Sequence, residues 1–116
     1  MAGMPTRDPQ MLKGVLSLLL LHLVAEQEDY GYALVLRLHA QGLDDLGEGS
    51  VYPALSRLES GGLLTSRLVR SVSGPARRYY VLTPAGHVER ARALAAWGSL
   101  VDTVGRILPL TPSRSS

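Results

Sequence analysis

Gly49-Ser50-Val51-Tyr52-Pro53-Ala54-Leu55-Ser56-Arg57-Leu58-Glu59-Ser60-Gly61-Gly62-Leu63-Leu64 is the stretch that decides how this chain folds. Val51, Leu55 and Leu58 stand at i, i+4 and i+7, which lines up one apolar face of a helix. The opposite face reads as Ser50, Pro53, Ala54 and Arg57, small or polar except for one long cation. Gly61-Gly62 stops the helix. Leu63 to Val69 then reads as a strand, Gly74-Pro75 as a turn, and Arg77 to Leu82 as a returning strand. Thr83-Pro84 starts another helix, with Thr as N-cap and Pro at the first position. That helix reaches about Leu108, where Pro109 and Pro112 end it.

Upstream, helix one spans about Gln10 to Glu26 and is apolar nearly all round, so one protomer is not expected to hide every face of it. Asp29 is placed to cap helix two, about Gly31 to Ala40, whose Leu34, Val35 and Leu38 face inward. Gly42 through Gly49 forms the turn into the quoted helix. Three helices, a hairpin and a final helix make a mainly α (α+β) chain, a winged helix-turn-helix with a two-stranded wing and a long C-terminal dimerisation helix. The expected divisions are a flexible arm over 1–9, the winged unit over 10–83, the dimerisation helix over 84–108 and a disordered tail over 109–116.

A helix buried on one face and slim on the other suits insertion into the major groove of double-stranded DNA. The charge distribution agrees. Net charge is only +2, yet six of the ten acids lie between Glu26 and Glu48. From Arg57 to Arg92 there are seven Arg against Glu59 and Glu89, so the quoted helix and the hairpin form a basic half. Eleven of the twelve cations are Arg, whose planar fork suits phosphates and guanine edges.

Other classes find little support. The chain has no Cys, which removes disulfide, iron–sulfur and thiolate chemistry. His22, His39 and His87 are too scattered for a metal motif, and no metal or cofactor is expected. No metalloprotease, phosphate-loop or dinucleotide fingerprint occurs, so an enzyme is not expected. Val15 to Leu21 is far shorter than a membrane span and nothing resembles a secretory signal, so the expectation is a cytoplasmic protein with no membrane partner.

The chain resembles the PadR family of bacterial transcriptional regulators. The resemblance rests on Tyr30-Gly31-Tyr32, on Gly49-Ser50-Val51-Tyr52-Pro53-Ala54-Leu55, and on Arg57-Leu58-Glu59 with Gly62-Leu63-Leu64. Arg77-Arg78-Tyr79-Tyr80-Val81-Leu82-Thr83-Pro84-Ala85-Gly86 extends it, and it covers roughly residues 11–108. It implies a homodimeric repressor whose C-terminal helices pair with the partner's N- and C-terminal helices, and a length matching the small subfamily. Many members of that family answer small, often aromatic or drug-like effectors, and others sense unrelated signals. One departure is Gly47-Glu48, where family members often carry Ser-Pro; Glu48 suits the helix dipole but repels phosphate.

The candidate DNA-binding residues are Ser50, Tyr52 and Arg57 on the quoted helix, Arg77 and Arg78 beside the hairpin turn, and Lys13 near the start of helix one. The resemblance gives Tyr52 and Lys13 phosphate contacts. Strand alternation sends Arg77 and Arg78 to opposite faces, so one of them meets DNA, and it splits Tyr79 from Tyr80 in the same way. Arg67 and Arg70 are weaker candidates. Leu94, Trp97, Val101, Val104 and Leu108 step by 3, 4, 3 and 4, a two-heptad seam for helix pairing. With Leu16, Leu19 and Leu20 of helix one, the leucines and valines of this seam are the candidate dimerisation residues. Trp97 either packs the interface or lines a cavity where it stacks on a planar aromatic effector. The expected partners are thus a second copy of the chain, a pseudo-palindromic operator and a planar small molecule. The rival is a winged-helix module that binds protein and not DNA.

Overall fold

In chain order, the computed structural model, which describes residues 9–109, forms α1 (Pro9–Glu26), β1 (Asp29–Tyr30), α2 (Gly31–Ala40), α3 (Glu48–Ser60), β2 (Leu64–Ser71), β3 (Gly74–Leu82) and α4 (Pro84–Ile107). Residues 1–8 of the expected arm and 110–116 of the expected tail lie outside the described residues. Helix one starts a residue earlier than the sequence suggests, and Leu108 caps α4 in extended conformation and does not continue the helix.

The core forms where α1, α2 and α3 meet the base of the hairpin. Leu12, Leu16 and Leu20 of α1 stand at i, i+4 and i+8, and Val51, Leu55 and Leu58 of α3 meet them. Leu34, Val35 and Leu38 of α2, with Leu64 and Leu82 from the strands, close the cluster. Three assignments change here. Leu16 and Leu20 belong to the protomer's own core, and at 0% exposure Leu20 has no surface left for a partner. Ala54 is also 0% exposed: its small side chain sits at the buried centre of α3, not on its outer face. Leu19 packs against the core from its edge.

The antiparallel sheet has the order β1-β3-β2. Asp29 does not cap α2. It pairs with Tyr80 as part of β1, and its carboxylate accepts from Arg37 Nη1 at 3.2 Å, while Tyr30 occupies the cap position with no side-chain bond. The hairpin turn lies at Val72-Ser73, two residues before the expected Gly74-Pro75. Val69 pairs with Arg77 and Ser71 with Gly74, so Pro75 and Ala76 together face Arg70. Such a bulge accepts Pro75, which has no N–H for the ladder, and Gly74 supplies the φ of +154° that the turn requires.

α4 is bolted to the end of α3. Thr83 Oγ1 accepts from the Gly86 amide at 3.0 Å and donates to the Gly62 carbonyl at 2.6 Å, while the Thr83 amide donates to Leu63 O at 3.1 Å. A second tie joins α4 to α1: Arg90 Nη2 donates to His22 Nδ1 at 2.9 Å, and His22 Nε2 lies 3.3 Å from Glu26. From Ala91 onward no residue of α4 is buried.

Candidate nucleic-acid interface

α3 stands proud as a ridge. Gly49, Pro53, Ser56 and Ser60 recur every three or four residues along its outermost strip, and all are exposed. None carries a long side chain, so the ridge is narrow. Ser56 and Ser60 belong to this strip although the sequence reading singled out neither.

Two clefts flank the ridge. On the α1 side, Lys13, Ser50, Pro53 and Arg57 line a depression of about 490 Å³. Lys13 is 37 residues from Ser50 in sequence, and the packing of Leu16 and Leu20 against α3 places it there. On the sheet side, Tyr30, Tyr32, Tyr52, Tyr80, Arg77 and Arg78 surround a cleft of about 270 Å³, with Gly31 in its wall. Arg77 and Arg78, of which strand alternation led only one to be expected at DNA, both line this cleft, so all six candidate residues fall into two groups of donors, one on each flank of α3. Neither cleft is enclosed, and each offers cationic and hydroxyl donors suited to anionic oxygens.

Within the second cleft the side chains are held. The Arg77 guanidinium stacks over the Tyr30 ring at 4.5 Å, and that ring meets Tyr79 at 5.4 Å and 58°. Arg78 Nη1 donates to Ser66 Oγ at 3.0 Å, and Ser66 Oγ donates to Glu59 Oε2 at 2.6 Å. Tyr80 packs on the core, and burial first, then the Glu59 charge, push its phenol up, with Arg78 opposing. Burial, Glu48, Tyr32 and Tyr80 likewise raise Tyr52. Both hydroxyls are thus neutral donors through the physiological range. Arg67 is paired with Glu28, and Arg70 lies near the wing tip with Val72, whose side chain is fully exposed.

A different surface lies between α1 and α4. Gln10, Met11, Gly14, Trp97, Leu100, Val101 and Val104 line a trough of about 480 Å³ that is almost wholly apolar, and a smaller hollow of about 220 Å³ adjoins it through Gly14, Trp97 and Leu100. Trp97 is 45% exposed, Val101 46% and Leu94 47%. Leu100 and Ile107, not part of the 3–4 seam, widen this apolar face. Among the described residues no helix is long and apolar enough to cross a membrane, and no cluster of His, Asp and Glu is arranged to hold a metal ion.

A three-helix core that presents a narrow helix beside a β-hairpin defines a winged helix-turn-helix protein. The chain belongs to the transcriptional regulator PadR-like family, whose pattern matches residues 20–92. It is 44% identical over 78 residues to a transcriptional regulator from Mycobacterium tuberculosis, which spans 65% of this chain and 71% of that one. Among solved structures it is similar to a PadR-like transcriptional regulator from Bacillus cereus (36% identity, 88% of this chain and 99% of that one, TM-score 0.78). A PadR family transcriptional regulator from Eggerthella lenta gives 34% identity over 88% of both chains, again with a TM-score of 0.78.

Proposed function

We propose that the protein is a homodimeric, sequence-specific DNA-binding regulator, a cytoplasmic repressor released by a small planar effector. The observation that carries this reading is the narrow ridge of α3 between two donor-lined clefts. As the ridge enters a major groove, Lys13, Ser50 and Arg57 meet the phosphates of one strand and Tyr52, Arg77 and Arg78 those of the other. Base edges are then read by what the ridge itself presents, chiefly Ser56 with Arg57 reaching over.

The winged unit over 10–83 binds DNA and the segment over 84–108, α4 with Leu108 at its end, makes the dimer. The exposed Leu94 and Val101 and the half-buried Val104 of α4, with the exposed Leu108 just past its end, seek an apolar partner, since a helix face of this kind is seldom left in water. Leu19 contributes at most its edge. Two-fold symmetry then presents two α3 ridges to half-sites whose centres are about 34–36 Å apart, or a multiple of that. The Trp97 trough lies where two protomers would meet. A planar ligand bound there acts on DNA only through a different affinity for two dimer arrangements.

The test is a titration of labelled duplex DNA at increasing salt. Affinity should fall steeply, with a log–log slope near −0.9 for each phosphate neutralised. A protein that binds no duplex at low salt would instead be a protein-interaction module.

A further inference from the structure

Glu59 stands near the C-terminal end of α3, on the flank that faces the hairpin. Ser66 lies on β2 and Arg78 on β3, so the chain of bonds Arg78 to Ser66 to Glu59 crosses three elements. A serine hydroxyl has one hydrogen. Donated to the carboxylate, it leaves the oxygen lone pairs aimed at the guanidinium. The carboxylate therefore fixes the direction of the whole relay. Without it the hydroxyl is free to turn, and Arg78 loses an oriented acceptor.

The position in the hairpin matters. β1 supports β3 only at Tyr79 and Tyr80, and the core residues Leu64 and Leu82 hold only its base. Arg78, one residue farther out, is tied through Ser66 to Glu59 of α3, while Arg77 over the Tyr30 ring and Arg67 on Glu28 hold the other face of the hairpin toward β1 and the residue before it. We propose that Glu59 and Ser66 are positioning residues for DNA recognition, which fix Arg78 and the angle of the wing against the ridge. The proposal rests on the DNA-binding reading above. It assigns a recognition role to an acid on a surface whose candidate contacts are cations and hydroxyls.

That acid makes the test one of sign. On Coulombic grounds alone, removing a carboxylate beside DNA tightens binding. The relay requires the opposite. The probe is a duplex selected by the wild-type protein from a random-sequence library, titrated by fluorescence anisotropy. Glu59→Ala and Ser66→Ala should each bind about three- to tenfold more weakly, the loss of roughly one net hydrogen bond. Glu59→Gln keeps an acceptor oxygen for the serine, and Ser66→Thr keeps a hydroxyl; both should bind nearly as wild type. In an Arg78→Ala background, Glu59→Ala should no longer weaken binding. Thermal melts compare the stability of each variant. Glu59→Ala that binds as tightly as wild type or tighter overturns the relay, and so does an undiminished loss in the Arg78→Ala background. If the wild-type protein retains no duplex at all, the DNA-binding reading fails and the relay's role fails with it.

Discussion

The ring of Tyr52 lies directly against the backbone of Gly31, so close that a methyl group on residue 31 would sit 2.6 Å from Tyr52 Cε1. α3 and the first turn of α2 meet at this point, and Tyr52 takes its place in the sheet-side cleft because residue 31 has no side chain.

Gly31→Ala is therefore expected to separate binding from stability. Alanine favours a helix over glycine by up to about 1 kcal/mol, and the obstructing atom belongs to a side chain that can swing aside. The melting temperature should hold or rise slightly, while affinity for duplex DNA should drop about tenfold, as it should for Tyr52→Ala. Equal affinity for Gly31→Ala and wild type would show that the seating of Tyr52 is irrelevant to binding.

Gly86 gives the contrasting case. A Cβ there would fall 2.0 Å from the Leu63 carbonyl oxygen, a backbone atom fixed by its bond from the Thr83 amide. Neither partner can step aside without prising α4 from the α3 end. Gly86→Ala should cost about 2–4 kcal/mol, read as a lower urea midpoint at unchanged slope. A loss below about 0.5 kcal/mol would mean that the α4 junction is looser than the geometry implies.

Leu20 and Val101 divide the core from the proposed partner surface. Leu20→Ala leaves a cavity among fully buried neighbours and should destabilise the fold by about 2–5 kcal/mol. Val101→Asp places a carboxylate on an exposed face of α4, so the protomer should keep its helicity while the dimer dissociates. Sedimentation with circular dichroism distinguishes the two. A Val101→Asp protein that still sediments as a dimer would place the interface elsewhere.

Tyr80 supplies a pH signature. Burial, followed by the Glu59 charge, raises its folded pKa above the ordinary value of 10.0 that the unfolded chain shows. For an acid raised on folding, the unfolded state ionises first. The associated stability is full below pH 10, and it is lost as pH rises through the folded pKa. Wild-type protein should therefore lose stability above that pH more steeply than Tyr80→Phe. Parallel profiles for the two proteins would count against the buried, neutral phenol.

The parts of the fold legible in the sequence are those with a period or a punctuation mark. Val51, Leu55 and Leu58 mark the buried face of α3, and Thr83-Pro84 marks the start of α4 to the residue. α1 has no polar face, so periodicity could not tell core positions such as Leu16 and Leu20 from positions available to a partner. β1 has two residues, too few to show alternation, and Asp29 is as good a cap candidate as a strand residue until Tyr80 is seen beside it. The six candidate contacts were read one at a time; their division into two clefts depends on helix packing and strand register. The Glu59, Ser66 and Arg78 relay depends on both, since its members are separated by seven and twelve residues.

Trp97 carries the remaining expectation. It is the one tryptophan in the chain, it is about half exposed, and it sits among Met11, Leu100, Val101 and Val104. A planar aromatic molecule entering the trough should stack on the indole and quench its fluorescence, a contact worth about 0.5–1.5 kcal/mol beyond burial. If the same molecule is the effector, it should weaken DNA binding, and DNA should weaken its binding by the same factor. The measurement is a fluorescence titration with phenolic acids, flavin-like dyes and cationic aromatic compounds, repeated with duplex present. Trp97→Ala serves in parallel anisotropy titrations, where loss of the ligand's effect on DNA assigns it to this site. Quenching that leaves DNA affinity untouched would make the trough a binding site without a switch. Silence across the whole set would assign Trp97 to the packing of the dimer alone.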